Sequence, residues 1–271
     1  AFMAKFLFGF TCDRAAIDDA STGNSLTTGP FSIAARIYNP GLVAAEVTGP
    51  LDVKVEDGTT LKATWEQLRA SFRVSTSLSG LSTFSTQGTA VSFDVDSPVL
   101  VETIRASARD AQLHLRNHDR NLDVAAVASD FMLADAAGTV LVPRLSTSAM
   151  FTLVDKGNLL EGGYFDIKGA SGTLDSFKIE TPDGLYGEMS GPFRIDADGY
   201  MTATFRTRLE KIDLWNARLQ ALFPDAEGTI SGMAALLKGL AKGDDKVTVT
   251  IEVNKGLITL SLLPLGHIPP V

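Results

Sequence analysis

Between residues 171 and 208, apolar and polar side chains alternate so regularly that little besides an antiparallel sheet fits them. Phe177 and Ile179 alternate with Ser176, Lys178 and Glu180, the period-two signature of a strand buried on one side. Thr181-Pro182-Asp183-Gly184 follows. Its proline presets φ, its aspartate bonds its own backbone, and its glycine is free to take positive φ. A second run over 185–195 carries Leu185, Met189, Phe193 and Ile195 on one face, with Gly187 and Gly191 leaving gaps or allowing a bulge there. Asp196-Ala197-Asp198-Gly199 turns the chain again, and Met201, Ala203 and Phe205 continue the apolar face. The pattern predicts a three-stranded meander with one greasy side and one wet side.

The flanking segments follow the same rules. Phe6, Phe8 and Phe10 share one face of a first strand over 5–12, and a polar stretch over 13–28 reads as a loop holding a short helix. Phe31, Ile33, Ala35 and Ile37 alternate up to the turn Asn39-Pro40-Gly41, and two short strands over 42–48 and 51–56 are parted by Gly49-Pro50. Trp65, Leu68 and Phe72 have helical spacing and predict a short helix over 64–70. The Ser/Thr/Gly-rich residues 75–89 read as weakly hydrophobic strands joined by a loop, and 101–110 fits helix and strand equally. Residues 111–116 and 122–131 form a hairpin with a polar tip, and 140–142 and 149–154 read as two further strands. Towards the C-terminus, Ile212, Trp215, Leu219 and Leu222 mark an amphipathic helix stopped by Pro224. Met233, Leu236, Leu237 and Leu240 mark a second. Those two helices are expected over 211–222 and 230–241. Val247, Val249, Ile251 and Val253 then alternate in a strand that Asn254-Lys255-Gly256 reverses into 257–263. A faint echo links Gly29-Pro30-Phe31-Ser32-Ile33 to Gly191-Pro192-Phe193-Arg194-Ile195.

Composition narrows the function classes. With 45% apolar and 21% charged residues in 271, the chain has the makings of a substantial core. A net charge of −8 without a basic stripe argues against a nucleic-acid partner and against charge-driven adhesion to anionic membranes. Cys12 stands alone, so no intrachain disulfide forms. No run of about 18 apolar residues is present to span a bilayer as a helix.

The chemistry-bearing residues are sparse. His114, Arg116 and His118, with Asp110 and Asp119 nearby, are the one concentration of potential acid–base or metal groups, and residues two apart share a strand face. A cationic arginine between two histidines opposes a metal, so a solvated hairpin face is the reading, with no metal. No Gly-x-Ser-x-Gly elbow nominates a nucleophile, and Gly169-Ala170-Ser171-Gly172 lacks the lysine and helix of a phosphate loop. Asp196 with Asp198 and Asp244 with Asp245 are short of calcium ligands and suit turns. No catalytic residues and no cofactor are expected, and the chain reads as a non-enzyme. Phe6, Phe8, Phe10, Phe31, Phe177, Phe193 and Phe205 line whatever the sheet encloses, either as ordinary core or as an apolar groove for an acyl chain.

Several stretches together carry a resemblance. Ile37-Tyr38-Asn39-Pro40, Thr48-Gly49-Pro50, Trp65 with Leu68-Arg69-Ala70-Ser71, Leu113-His114-Leu115-Arg116 and the terminal Pro264-Leu265-Gly266-His267-Ile268-Pro269-Pro270 occur in that order. The chain resembles a family of uncharacterised bacterial envelope proteins, a domain of unknown function found mainly in alphaproteobacteria. Members usually begin with a hydrophobic signal-anchor and a Gly-Tyr/Phe-Pro-Phe-Arg stretch. Phe8-Gly9-Phe10-Thr11-Cys12 stands in that neighbourhood without the proline and arginine. The resemblance implies an export-targeted, periplasm-facing β protein whose membrane association runs through a removed N-terminal anchor. A looser likeness is to the AsmA-like proteins, whose long curved sheets carry lipids between membranes.

The expected architecture is therefore mainly β with minor α. Curved antiparallel sheets are built from hairpins and meanders, with a few short helices packed on them near the C-terminus, in one elongated domain spanning 1–271. The expected function is non-enzymatic binding of a lipid or other apolar ligand in a groove between curved sheets. The rival is a structural or protein-interaction module of the envelope, in which the same faces are packed core or meet a protein partner.

Overall fold

The computed structural model describes residues 7–75, 80–98, 100, 102–161, 167–241, 245–260 and 263–271, and these form eighteen strands, two α-helices and two short 3-10 turns. The mainly β architecture and the two C-terminal helices agree with the sequence reading. By contacts the chain divides into two compact units. The first is Ala1–Asn117, Ala126–Arg144 and Leu160–Gly162; the second is His118–Ala125, Leu145–Leu159 and Gly163–Val271.

 The core of the first unit is thin, and several of its best-buried side chains lie beside a line where its strands change direction.

That line follows from the strand pairing. β1 (Leu7–Cys12), β4 (Phe31–Arg36), β5 (Asn39–Val47) and β8 (Gln67–Val74) form one ladder, and β8 pairs with the first half of β9 (Leu81–Asp96). β2 (Ala15–Asp19), β3 (Asn24–Thr28), β6 (Leu51–Lys54) and β7 (Thr60–Thr64) form another, and β7 pairs with the second half of β9. The chain crosses from one ladder to the other at Asp13-Arg14, Gly29-Pro30, Thr48-Gly49-Pro50 and Trp65-Glu66. β9 crosses unbroken through Ala90, which takes a φ of 49°. Along β9 and β10 (Ile104–His118) the register skips Ala90 and Arg109. At this crease the apolar positions change parity. Phe84 and Gly88 share a face before it and Val91, Phe93 and Val95 after it; likewise Ile104, Ala106 and Ala108 give way to Ala111, Leu113 and Leu115. One added residue bends a strand while returning its apolar side chains to the same face. Ala63 (fully buried) and Val91 flank the crease, and the Trp65 indole N–H donates to the Val47 carbonyl at 2.7 Å.

Three expectations give way here. The helix read over 64–70 is a strand: Trp65 sits at the crease, while Leu68 and Phe72 pair across β8 with Val47 and Val43. A break in period two imitated period 3.6. The loop with a short helix over 13–28 is instead the hairpin β2–β3, in which Ile17 faces Leu26. The two strands at 140–142 and 149–154 are one, β12 (Val140–Leu153), which follows β11 (Asn121–Asp135) after a turn in which the Gly138 N–H donates to Asp135 O. The ambiguous segment 101–110 enters strand β10 at Ile104, and the hairpin tip at Asp119-Arg120 has φ of 50° and 75°, the two positive values of a type I′ turn.

The second unit carries the predicted meander. Part of β12, then β13 (Ser171–Glu180), β14 (Tyr186–Ile195), β15 (Met201–Glu210), β16 (Lys246–Asn254), β17 (Leu257–Leu260) and β18 (Leu263–His267) pair in sequence, all antiparallel. Between β15 and β16, α1 (Ile212–Leu222) and α2 (Glu227–Ala241) fold back onto one end of the sheet. Ile212, Ala234 and Leu237 meet Val247 and Leu260 there, with Leu209 and Val249 packed alongside, so the expected helix-on-sheet layer is present. Residues 261 and 262, part of the strand read over 257–263, lie outside the described residues. The α1 start is closed from a distance: the Ile212 N–H donates to the Asp245 carboxylate at 3.2 Å. Trp215 lies over Gly187, where a Cβ would come within 2.8 Å of the ring, and its indole N–H donates to Tyr186 O.

Candidate functional site

The helices cover only part of the apolar face of the meander. Beyond them lies a hollow of about 460 Å³ lined by Ala149, Phe151, Leu153, Ile167, Leu174, Phe177, Met189, Phe193, Ile195, Met201, Phe205 and Ile268. Every lining side chain among the described residues is hydrocarbon, aromatic or thioether. The volume falls within the range of small-molecule sites, which usually also carry a few polar groups.

The sheet builds the hollow through irregularities. Register shifts between Met150 and Phe151 on β12 and between Leu174 and Phe177 on β13 bend both strands. On β14, Gly191 has a φ of 151°, and a Cβ there would stand 2.1 Å from the Thr204 carbonyl. Only glycine permits this conformation and this approach. The two halves of the Gly-Pro-Phe echo sit at different places: Gly29-Pro30 crosses the crease of the first unit, and Gly191-Pro192 interrupts the pairing of β14 with β15 between Ser190 and Phe193. Phe205 is buried with Ala203 and Val253, and Leu174, Met189, Phe193 and Met201 pack against them while remaining half-exposed. The wall beneath is firm and the rim is open.

The opposite face of the meander is wet. Lys178 stands 3.5 Å from Glu188, and Arg208 bonds Glu210, which also meets Lys246 at 3.2 Å. Burial and the hydrogen bond to Glu188 push the Tyr186 hydroxyl above its ordinary pKa. At the β13–β14 turn, the Thr181 hydroxyl and then Arg218 hold the Asp183 carboxyl below the usual carboxylate range, and Lys211 Nζ donates to Asp183 O at 2.8 Å. These contacts clasp the turn to α1. Among the described residues no titratable side chain lines the hollow.

The seven phenylalanines singled out from the sequence divide between the units. Phe177, Phe193 and Phe205 converge on the hollow. Phe10 and Phe31 meet edge to face at 6.1 Å in the first unit, where Phe8 and Phe10 are 53% and 58% exposed. Phe6 lies outside the described residues. Sequence reasoning passed over Ala149, Phe151, Leu153 and Ile268, whose places depend on strand pairing and on the return of the C-terminal tail.

The other candidate groups find ordinary partners. His114 Nδ1 lies 3.0 Å from Ser85 Oγ, and both residues line an open trough of about 650 Å³ in the first unit, together with Ala34, Ala44 and Ser71. Glu46 and Arg69, also among its lining residues, are paired neighbours on β5 and β8 and stand 3.7 Å apart. His118 stands beside Asp119 and Asp123. Asp196 Oδ1 accepts from the Asp198 and Tyr200 N–H groups, which is turn chemistry. Among the described residues no three His, Cys, Asp or Glu side chains group to hold a metal, and no helix is long and apolar enough to cross a membrane.

Neither a curated protein nor a solved structure matches the chain. One family does, described as an uncharacterised protein conserved in bacteria (DUF2125), and it matches residues 6–269. The chain belongs to that bacterial family.

Proposed function

We propose that this is a non-enzymatic, periplasm-facing envelope protein that holds a lipid chain or a similar apolar ligand in the hollow of its second unit. The observation that carries the reading is the wholly apolar lining on an open sheet face, next to a region of the same face that two helices do cover. A concave, apolar lining at this volume is the general character of small-molecule sites. The envelope location, the alphaproteobacterial setting and the likeness to AsmA-like lipid carriers rest on the sequence resemblance, and fold likeness alone does not fix function.

The test is direct. N-phenyl-1-naphthylamine, a fluorophore that brightens in hydrocarbon, should bind the purified protein, and Met189→Glu should abolish the signal. Thr204→Glu on the wet face should leave it unchanged. Organic extracts examined by mass spectrometry should contain a co-purified lipid. An empty extract together with no probe binding would overturn the reading. That outcome would favour an interaction module, which has its own observation in its support: β1 pairs on one side with β4 and displays Phe8 and Phe10 to solvent.

A further inference from the structure

A second, smaller pocket of about 190 Å³ lies under α1 and α2, walled by Leu209, Ile212, Leu219, Met233 and Leu237 among others. Two polar atoms interrupt this hydrocarbon. Thr207 Oγ1 and Asn216 Oδ1 both belong to pocket-lining residues, both are buried, and neither has a hydrogen-bond partner. Thr207 is only 6% exposed. Burying such groups unpaired is costly, and native interiors seldom leave them so. Two in one pocket point to something that pairs with them.

The pocket adjoins the hollow along a single strand. Phe205 lines the hollow and Thr207 the pocket; on β15 they share a face, about 7 Å apart. Ile251, the cross-strand partner of Phe205, lines the pocket as well, so this pair forms the sill between the two spaces. Among the described residues no charged side chain lines either space.

We infer that the ligand is a neutral amphiphile ending in a hydroxyl, its hydrocarbon in the hollow and its hydroxyl under the helices, bonded to Thr207 and Asn216. This deepens the proposed function and rests on it. A hydroxyl donates one hydrogen bond and accepts others, so it can donate to Asn216 Oδ1 while accepting from the Thr207 hydroxyl. It suits the Asn216 amide in either orientation. A carboxylate or phosphate would enter without a cation to pair with and would face the Asn216 oxygen, an expensive burial.

The experiment is competition against bound N-phenyl-1-naphthylamine by dodecanol, monolaurin and laurate at pH 8. Dodecanol and monolaurin should displace the probe at concentrations at least about tenfold lower than laurate, the scale expected of a buried hydrogen-bonding site discriminating against a charge. Thr207→Val and Asn216→Leu should erase that preference while probe binding persists. Thr207→Val is nearly isosteric and removes an unpaired polar atom, so it should fold; a thermal melt no lower than that of the parent verifies this. Laurate binding as well as dodecanol, or a preference that survives both substitutions, overturns the inference while leaving the hollow standing. Failure of the probe to bind at all removes the hollow, and this inference with it.

Discussion

Gly191→Ala tests how the hollow is made. The added methyl would meet the Thr204 carbonyl at 2.1 Å and Phe205 Cα at 3.2 Å, on a backbone whose φ is 151°. Holding alanine there costs about 1–3 kcal/mol in backbone strain. Relieving the clash means moving β14 away from β15, between the paired positions Ser190–Arg206 and Phe193–Ala203. Two ladder hydrogen bonds weakened in that shift add about 1–3 kcal/mol. A total near 4 kcal/mol is a large share of the 5–15 kcal/mol typical of a domain. Gly169→Ala supplies the comparison within the same unit. Its φ is 72° but no atom lies within 4 Å of the added methyl, so only the left-handed penalty of about 1–2 kcal/mol applies. Urea unfolding followed by Trp215 fluorescence reads the second unit, and a Trp65→Phe background silences the other of the two tryptophans. Gly191→Ala should unfold at clearly lower urea than Gly169→Ala and should bind the naphthylamine probe weakly. Equal midpoints would refute the close approach of β14 to β15 and the account of the hollow built on it.

Other expectations follow from the same geometry. Ile251→Asp places an unpaired carboxylate against the helix layer and should cost several kcal/mol or leave the protein insoluble, whereas exposed Thr250→Asp should melt like the parent. The Asp183 carboxyl is held below its ordinary pKa, so the clasp it makes with Arg218 is fully present above the unfolded carboxylate value near pH 4 and is lost as pH falls through the lower, folded value. Asp183→Asn should remove that acid limb from a stability-versus-pH profile; an unchanged profile would contradict the assignment. The Arg105 guanidinium likewise holds the Asp94 carboxyl low across β9 and β10, and Arg105→Gln should raise the Asp94 titration measured by carboxyl NMR.

Local patterning determined much of this protein. Period-two alternation named the strands of the meander, Thr181-Pro182-Asp183-Gly184 and Asp196-Ala197-Asp198-Gly199 named its turns, and apolar spacing named α1 and α2, because each signal acts within a few residues of itself. Phe177, Phe193 and Phe205 were legible as one face for the same reason. The crease was not legible. Shifting alternation by one residue at Ala90 or Arg109 looks like noise along a single strand and gains meaning only when neighbouring strands shift beside it. That is why Trp65, Leu68 and Phe72 imitated a helix, and why 13–28 looked like a loop. The hollow also needed pairing: Phe151 and Leu153 join Leu174 and Phe193 through the registers of β12, β13 and β14, which residues far apart in the chain decide together. Thr207 and Asn216 lie on a strand and a helix whose packing alone buries their polar atoms in one pocket. Short-range order belongs to the sequence; which faces remain uncovered is settled by how distant elements pack.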